Sequence, residues 1–326
     1  MSSFGKIRVE GEGALDFLQK ICTAQMNIPV GRIVYTQMLN NKGGIESDLT
    51  VSRLGEKSFL LVVPCATLQR DLSYLNKENN SNEVIIIDTS SAEGVLSIMG
   101  PNSRKLLEAV SPNNFSNLSH PFGTWKNIEI GSGLARAHRV SYVGELGWEI
   151  YISSDQCAHV FEEIWKLQKE FKFNMCGIHA LDSCRIEKAY RHFGHDITDE
   201  DHVVDAGLCF TADLSKTYFK GKEAILKKRK VGSSKKMLQF KLNDPTKMIY
   251  HNEPIIRENK IVGYLTSGNY GHTLGGCVGL GYVDCKDLSN EEILSFEYKV
   301  DVAGEIVDAK TSLRSMYDPR SERVRM

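Results

Sequence analysis

Apolar residues recur at helical spacing over Ala14, Leu15, Phe17, Leu18, Ile21 and Cys22, just after Gly11-Glu12-Gly13, and predict an amphipathic helix. Apolar runs of strand length follow at Phe59 to Val63, Val84 to Asp88 and Leu96 to Met99. Gly100-Pro101-Asn102-Ser103 then punctuates the chain ahead of a helix predicted over Lys105 to Val110. Val160, Phe161, Ile164, Trp165 and Leu167 mark another helix. A further one begins at Ile178, Leu181, Cys184 and Arg185, and Phe193-Gly194-His195 is expected to end it.

The periodicity changes after Arg229. Short strands separated by turns are predicted at Met237 to Leu242, Ile255-Ile256, Lys260 to Leu265, Val278 to Val283 and Phe296 to Val302. Seven glycines crowd between Gly263 and Gly281. That density suits an antiparallel barrel or sandwich, where turns and bulges need positive φ or no Cβ. A dinucleotide-binding loop would need a helix after the glycines, and strand-like Gly281-Tyr282-Val283-Asp284 stands there instead. The expected class is therefore α+β, with an α+β region over residues 1–230 and an all-β domain over 237–326.

Composition narrows the function. The chain has 326 residues, 41 % hydrophobic and 25 % charged, as in an ordinary globular protein and unlike a disordered tail. Lys+Arg 40 against Asp+Glu 41 leaves a net charge of −1, which argues against nucleic acid as the main partner. The one basic run, Lys227-Lys228-Arg229-Lys230, lies beside Gly232-Ser233-Ser234 and is expected to be a solvated linker. Eight cysteines without a CxxC point to reduced thiols. No apolar stretch approaches the ~18 residues of a membrane span, and the first residues hold no apolar signal core. A cytoplasmic protein is expected, or one of the mitochondrial matrix after processing.

Three segments could carry chemistry. Tyr35 to Ser52 reads as strand, Gly43-Gly44 turn, strand; Leu49 and Val51 share one face, and Asp48, Thr50 and Ser52 the other. Asp48 can thus point into a pocket, although on this segment alone a solvated hairpin acid is the plainer reading. Arg139 to Ile152 repeats the logic. Trp148, Ile150 and Ile152 face a core, and Glu149 and Tyr151 face away from it, a side that by itself reads as solvent. The third segment, Gly177 to Ile197, contains His192, His195 and Asp196, whose spacing matches no established zinc pattern, so no metal is expected. No GxSxG elbow supports a serine nucleophile.

In this order and spacing, YTQMLNNKGGIESDL, RVSYVGELGWEIYI, ALDSCRIEKAYRHFGHDI and the final YDPRSERVR resemble the glycine cleavage T-protein (aminomethyltransferase) family. The VGELGWE and YRHFGHDI forms look most like the C-terminal folate-binding region of dimethylglycine and sarcosine dehydrogenases. The resemblance implies subdomains around a central folate cavity with a C-terminal antiparallel β-barrel, and tetrahydrofolate as cofactor. It implies that Asp48 is catalytic, orienting the cofactor, stabilising a cationic one-carbon unit and handling the proton released at N5. Glu149 matches the acid that holds the pterin, whose 2-amino group and ring N–H suit a carboxylate fork. Tyr35, Tyr142 and Tyr190 fall on pocket positions where flat rings pack against the cofactor.

The implied activity is transfer of a methylene or aminomethyl unit, from dimethylglycine, sarcosine or glycine catabolism, to form 5,10-methylenetetrahydrofolate. Three departures qualify it. Leu181 stands where the T-protein has a folate-gripping arginine, Arg185 one turn on being usually structural; the dehydrogenase branch also lacks that arginine. The chain begins short of its relatives, so part of the first subdomain is expected to be missing or supplied by another chain. The flavin oxidase region of the dehydrogenases is absent, which suggests a flavoprotein partner. A non-catalytic folate-binding scaffold or regulatory subunit, and a folate-dependent demethylase, remain open. Cluster-assembly relatives carry a KGC-type cysteine that Lys220-Gly221-Lys222-Glu223 does not have.

Overall fold

The computed structural model describes residues 1–326 and arranges them as two antiparallel sheets and a closed barrel. The first sheet has strands β1 (Gly5–Glu10), β2 (Ile33–Leu39), β3 (Ile45–Gly55), β4 (Ser58–Val63) and β5 (Ile85–Asp88), in the order β2-β3-β4-β1-β5. Helix α1 (Ala14–Ile21) lays Ala14, Phe17, Leu18 and Ile21 on one face of it, and α2 (Leu68–Glu78) adds Leu75. Leu49 and Val51 point into that core. Strand alternation therefore turns Asp48, Thr50 and Ser52 to the other face.

The second sheet, in the order β6-β9-β8-β7, contains β6 (Glu93–Met99), β7 (Trp125–Ile130), β8 (Gly133–His138) and β9 (Gly147–Ser153). Trp148, Ile150 and Ile152 pack against Leu106 and Leu107 of α3 (Ser103–Val110) and Val160 and Ile164 of α4 (Cys157–Trp165). The remaining faces of the two sheets meet. Leu60 and Val62 of β4 cluster with Val95 of β6 and Tyr151 of β9, and the Trp125 indole donates to the Arg53 carbonyl at 2.9 Å. Glu149 consequently lies in an interface between sheets, and only 6 % of it is exposed.

The chain continues through α5 (Gln168–Phe171), α6 (Ile178–Glu187) and α7 (Lys222–Val231) into the barrel. Its strands are β10 (Lys235–Leu242), β11 (Pro254–Arg257), β12 (Lys260–Gly271), β13 (Gly276–Asp284), β14 (Tyr298–Val302) and β15 (Glu305–Ser312), closing in the order β10-β13-β12-β11-β14-β15. Closure leaves no free edge. The glycine crowding has a steric cause, for a Cβ at Gly263 would lie 1.8 Å from the Tyr282 carbonyl oxygen.

Some local expectations are corrected. Lys227 to Lys230 are the last turns of α7 rather than a linker, with Lys228 paired to Asp205 at 3.0 Å. Positive charge at a helix C-terminus complements the helix dipole. Helix α6 stops at Glu187, before Phe193, because Ala189 adopts φ +55°. β15 and α8 (Asn290–Ser295) were not anticipated. All eight cysteines are unpaired, and no helix is long and apolar enough to cross a membrane.

Candidate active site

The β2–β3 hairpin builds the floor of the site. Its turn needs glycine, since a Cβ at Gly44 would meet the Asp199 carbonyl oxygen at 1.9 Å. Register then places Gln37 opposite Asp48 and Tyr35 opposite Thr50. Gln37 Nε2 donates to Asp48 Oδ1 at 2.8 Å. Burial pushes the Asp48 carboxyl up to about 6, although hydrogen bonding from Gln37 and Tyr35 and the Arg191 guanidinium pull it the other way. Burial, reinforced by the Asp48 charge, also holds the Tyr35 phenol well above its ordinary range. The Tyr35 ring extends outward to Phe210, centroids 6.4 Å apart, and Phe210 is 76 % exposed.

The loop between β8 and β9 and the segment after α6 close over Asp48. Tyr142 stacks on Tyr190, with centroids 6.1 Å apart and planes at 13°. The Tyr142 hydroxyl donates to the Arg191 carbonyl at 2.8 Å. Arg191 is held in turn by the Ala206 carbonyl, which accepts from its Nη2 at 2.9 Å. Tyr190 is pushed up to about 12, by burial first and then by Asp318. A cleft of about 400 Å³ lined by Tyr317, Asp318, Glu322, Arg323 and Met326 opens at that end. Another of about 300 Å³ lies at Pro29–Arg32 and Trp125. Neither is lined by Asp48 or Glu149.

Glu149 lies farther along the same inter-sheet face. Ser52 is four residues beyond Asp48, about 13 Å at ~3.3 Å per residue. Its Oγ is 3.4 Å from His138 Nδ1, and His138 is the cross-strand partner of Glu149. Tyr151 donates to Glu149 Oε2 at 2.8 Å. Burial raises the Glu149 carboxyl, while Tyr151 and the ammonium of Met1 oppose the rise. Met1 and Phe4 pack against the Leu60–Tyr151 cluster, so the chain's first residues share this face with Glu149.

The structure thus gathers Asp48, Tyr35, Tyr142 and Tyr190 at one end and sets Glu149 at the other. Gln37, His138, Arg191, Phe210 and Thr211 also belong to this neighbourhood and were not anticipated. Gln37 gave no simple signal, because a bulge between Met38 and Leu39 shifts the register by one and sets Gln37, rather than Thr36, opposite Asp48. The buried polar edge suits a flat heterocycle with donors and acceptors side by side. Glu149 Oε1 has no protein partner, and His138 Nε2 is a buried polar atom without one.

The α+β sheets with a terminal barrel, and a carboxylate framed by tyrosines between the sheets, define a class of multi-subdomain fold rather than one enzyme. The GCVT N-terminal domain family matches residues 1–216, and the glycine cleavage T-protein C-terminal barrel domain matches residues 235–318. The chain belongs to the glycine cleavage T-protein family, as its motifs implied.

Over 326 residues it is 37 % identical to the 4-methylaminobutanoate oxidase (formaldehyde-forming) of Paenarthrobacter nicotinovorans, covering 100 % of this chain and 39 % of that protein. It is 34 % identical over 312 residues to the aminomethyltransferase of Halothermothrix orenii, covering 94 % of this chain and 85 % of that one. The chain therefore spans well under half of the oxidase and most of the aminomethyltransferase. The crystal structure of glycine cleavage system aminomethyltransferase T from Bartonella henselae shares the fold, with a TM-score of 0.85 at 24 % identity over 98 % of this chain and 85 % of that chain.

Proposed function

We propose that this protein is a tetrahydrofolate-dependent one-carbon transferase. It captures a methylene or aminomethyl unit released in dimethylglycine, sarcosine or glycine catabolism and yields 5,10-methylenetetrahydrofolate. Residues 1–230 carry the folate site, and residues 237–326 form the barrel domain that braces it. A flavoprotein oxidase or dehydrogenase is the proposed source of the one-carbon unit. The reading is supported by the family and carried by one observation: Asp48, titrating at about 6, faces the inter-sheet space among Gln37, Tyr35 and Arg191.

Bound folate supplies the N5 and N10 nitrogens that accept the one-carbon unit. Asp48 is an acid whose proton affinity lies near the working pH, which suits it to hold and release a proton beside those nitrogens. As a carboxylate it also stabilises positive charge developing next to it. Tyr142 and Tyr190 offer stacked rings as an aromatic wall. Glu149, with one oxygen steadied by Tyr151, is available to receive paired N–H donors of a pterin edge.

Calorimetric titration with tetrahydrofolate tests the binding, and its failure would end the folate reading. Asp48→Asn should then lower methylene transfer by about 100-fold or more while leaving folate affinity within a few-fold. A parent protein that binds folate and shows no turnover would be a scaffold instead.

A further inference from the structure

Asp48 is half-buried, and it accepts from an amide whose other end is anchored by a residue distant in sequence. Gln37 is fully buried, and its two ends differ chemically: Nε2 donates and Oε1 accepts. Nε2 is spent on Asp48 Oδ1 at 2.8 Å. Oε1 accepts from Thr211 Oγ1, which comes from the turn Cys209–Thr211 on the far side of the site. Thr211 shares its proton with the Leu208 carbonyl, 2.8 Å away. Turning the amide over would press Oε1 against the Asp48 carboxylate, two acceptors in contact, so the acid itself sets the sense of the amide and Thr211 anchors its other end.

The backbone makes this arrangement rigid. Thr23 donates its N–H to the Gln37 carbonyl at 2.9 Å and receives the Gln37 N–H on its hydroxyl at 3.2 Å. The Thr23 carbonyl accepts from the Asp213 N–H at 2.9 Å. Gln37 and the 209–213 turn are thereby tied to one residue, and the distance between them is set by main-chain bonds.

We propose that Thr211 and Gln37 are positioning residues for Asp48: Thr211 anchors the oxygen end of the Gln37 amide, and the amide's N–H holds Asp48 as a carboxylate aimed into the site. Titratable or charged groups facing Asp48 from other directions are Tyr35 on β2, Tyr142 from the β8–β9 loop and Arg191 after α6. Burial drives both tyrosines above their ordinary range, so among these groups the acid is the one that changes charge near neutral pH. The catalytic consequence rests on the one-carbon-transfer reading; the relay itself does not.

Two measurements separate them. In protein labelled with ¹³C-carboxyl aspartate, the Asp48 resonance is identified by its absence in Asp48→Asn, and its titration is followed in Gln37→Met, Thr211→Val and Thr211→Ser. Removing the donor should raise the proton affinity of Asp48 about tenfold in Gln37→Met and at least threefold in Thr211→Val. Thr211→Ser, which keeps the hydroxyl, should return the parental midpoint. In turnover with tetrahydrofolate and formaldehyde, Thr211→Val should lower kcat about tenfold with KM for folate within twofold, and shift the acid limb of the pH profile upward. Unchanged Asp48 titration in both Gln37→Met and Thr211→Val, with the proteins folded by circular dichroism, overturns the relay. Absence of turnover in every variant and the parent refutes the one-carbon reading and leaves the titration to decide the relay.

Discussion

Asp48 carries a conflict between stability and chemistry. Its carboxyl ordinarily titrates near 3.8 and in the folded protein at about 6. The native state therefore binds the proton more tightly than the unfolded chain between those values. By linkage, stability falls as pH rises through that window and stays reduced above it. A shift of about two units corresponds to at most about 3 kcal/mol. Asp48→Asn keeps an acceptor for Gln37 and removes the charge, so chemical denaturation at pH 7.5 should show it more stable than the parent by up to about 3 kcal/mol. The gain should vanish below pH 4, and equal stabilities at pH 7.5 would show that the acid is not strained. Burial raises the Glu149 carboxyl too, with the Tyr151 hydrogen bond opposing the rise. Glu149→Gln should weaken folate binding about tenfold or more through loss of a charge-assisted fork, read by calorimetry.

At the scale of elements, the β2–β3 hairpin is the part of the site most legible in the chain. Alternation of Leu49 and Val51 with Asp48, Thr50 and Ser52 is a local property, and it survives in the structure because a core covers one face of the strand. What covers the other face is tertiary information. The residues between Trp148 and Ile152 alternate just as clearly, yet nothing local says that Leu60 and Val62 arrive from β4 to bury the face carrying Glu149. Thr211 and Arg191 gave no signal for the same reason, since each reaches Asp48's surroundings from a loop of irregular path. The charged end of α7 misled because solvated lysines look alike in a linker and in a helix. The barrel was legible from its glycines, whereas β15, with Val307 alone well buried, lacked an apolar pattern. The hairpin's dependence on its turn is testable. Gly44→Ala forces a Cβ to within 1.9 Å of the Asp199 carbonyl. It should cost about 1–3 kcal/mol in urea unfolding and blunt turnover by displacing Asp48, with the larger fractional loss in kcat.

Across the whole molecule, a buried acid helps to fasten the segment bearing Tyr190 and Arg191 to the barrel, beside the bonds of Gln239 to the Ile186 and Glu187 carbonyls. Asp196 is fully buried and pairs with the equally buried Arg185 of α6. It also accepts from the Thr266 hydroxyl at 2.5 Å, the Ser267 hydroxyl on β12 and the His192 N–H at 2.9 Å. Burial alone would raise its carboxyl, and the Arg185 guanidinium with these donors holds it below the ordinary range instead. His192 and His195 thus stand beside an acid whose oxygens are already committed to the fold. Removing Asp196 strands most of the Arg185 charge, leaving it Asp182 at 2.7 Å. Asp196→Ala should therefore cost about 3–5 kcal/mol, and Asp196→Ala with Arg185→Met should recover much of it, since an apolar pair of similar volume replaces a buried ion pair at little net loss. Because the folded carboxyl titrates below its unfolded value, the stabilisation is fully present above the ordinary carboxylate range and is lost as pH falls through the folded value. The gap between parent and Asp196→Ala in urea midpoints should accordingly be constant from pH 8 to 5 and close at lower pH. A double variant no better than Asp196→Ala would mean that the loss at Asp196 comes from its bonds to the Thr266 and Ser267 hydroxyls rather than from the charge pair.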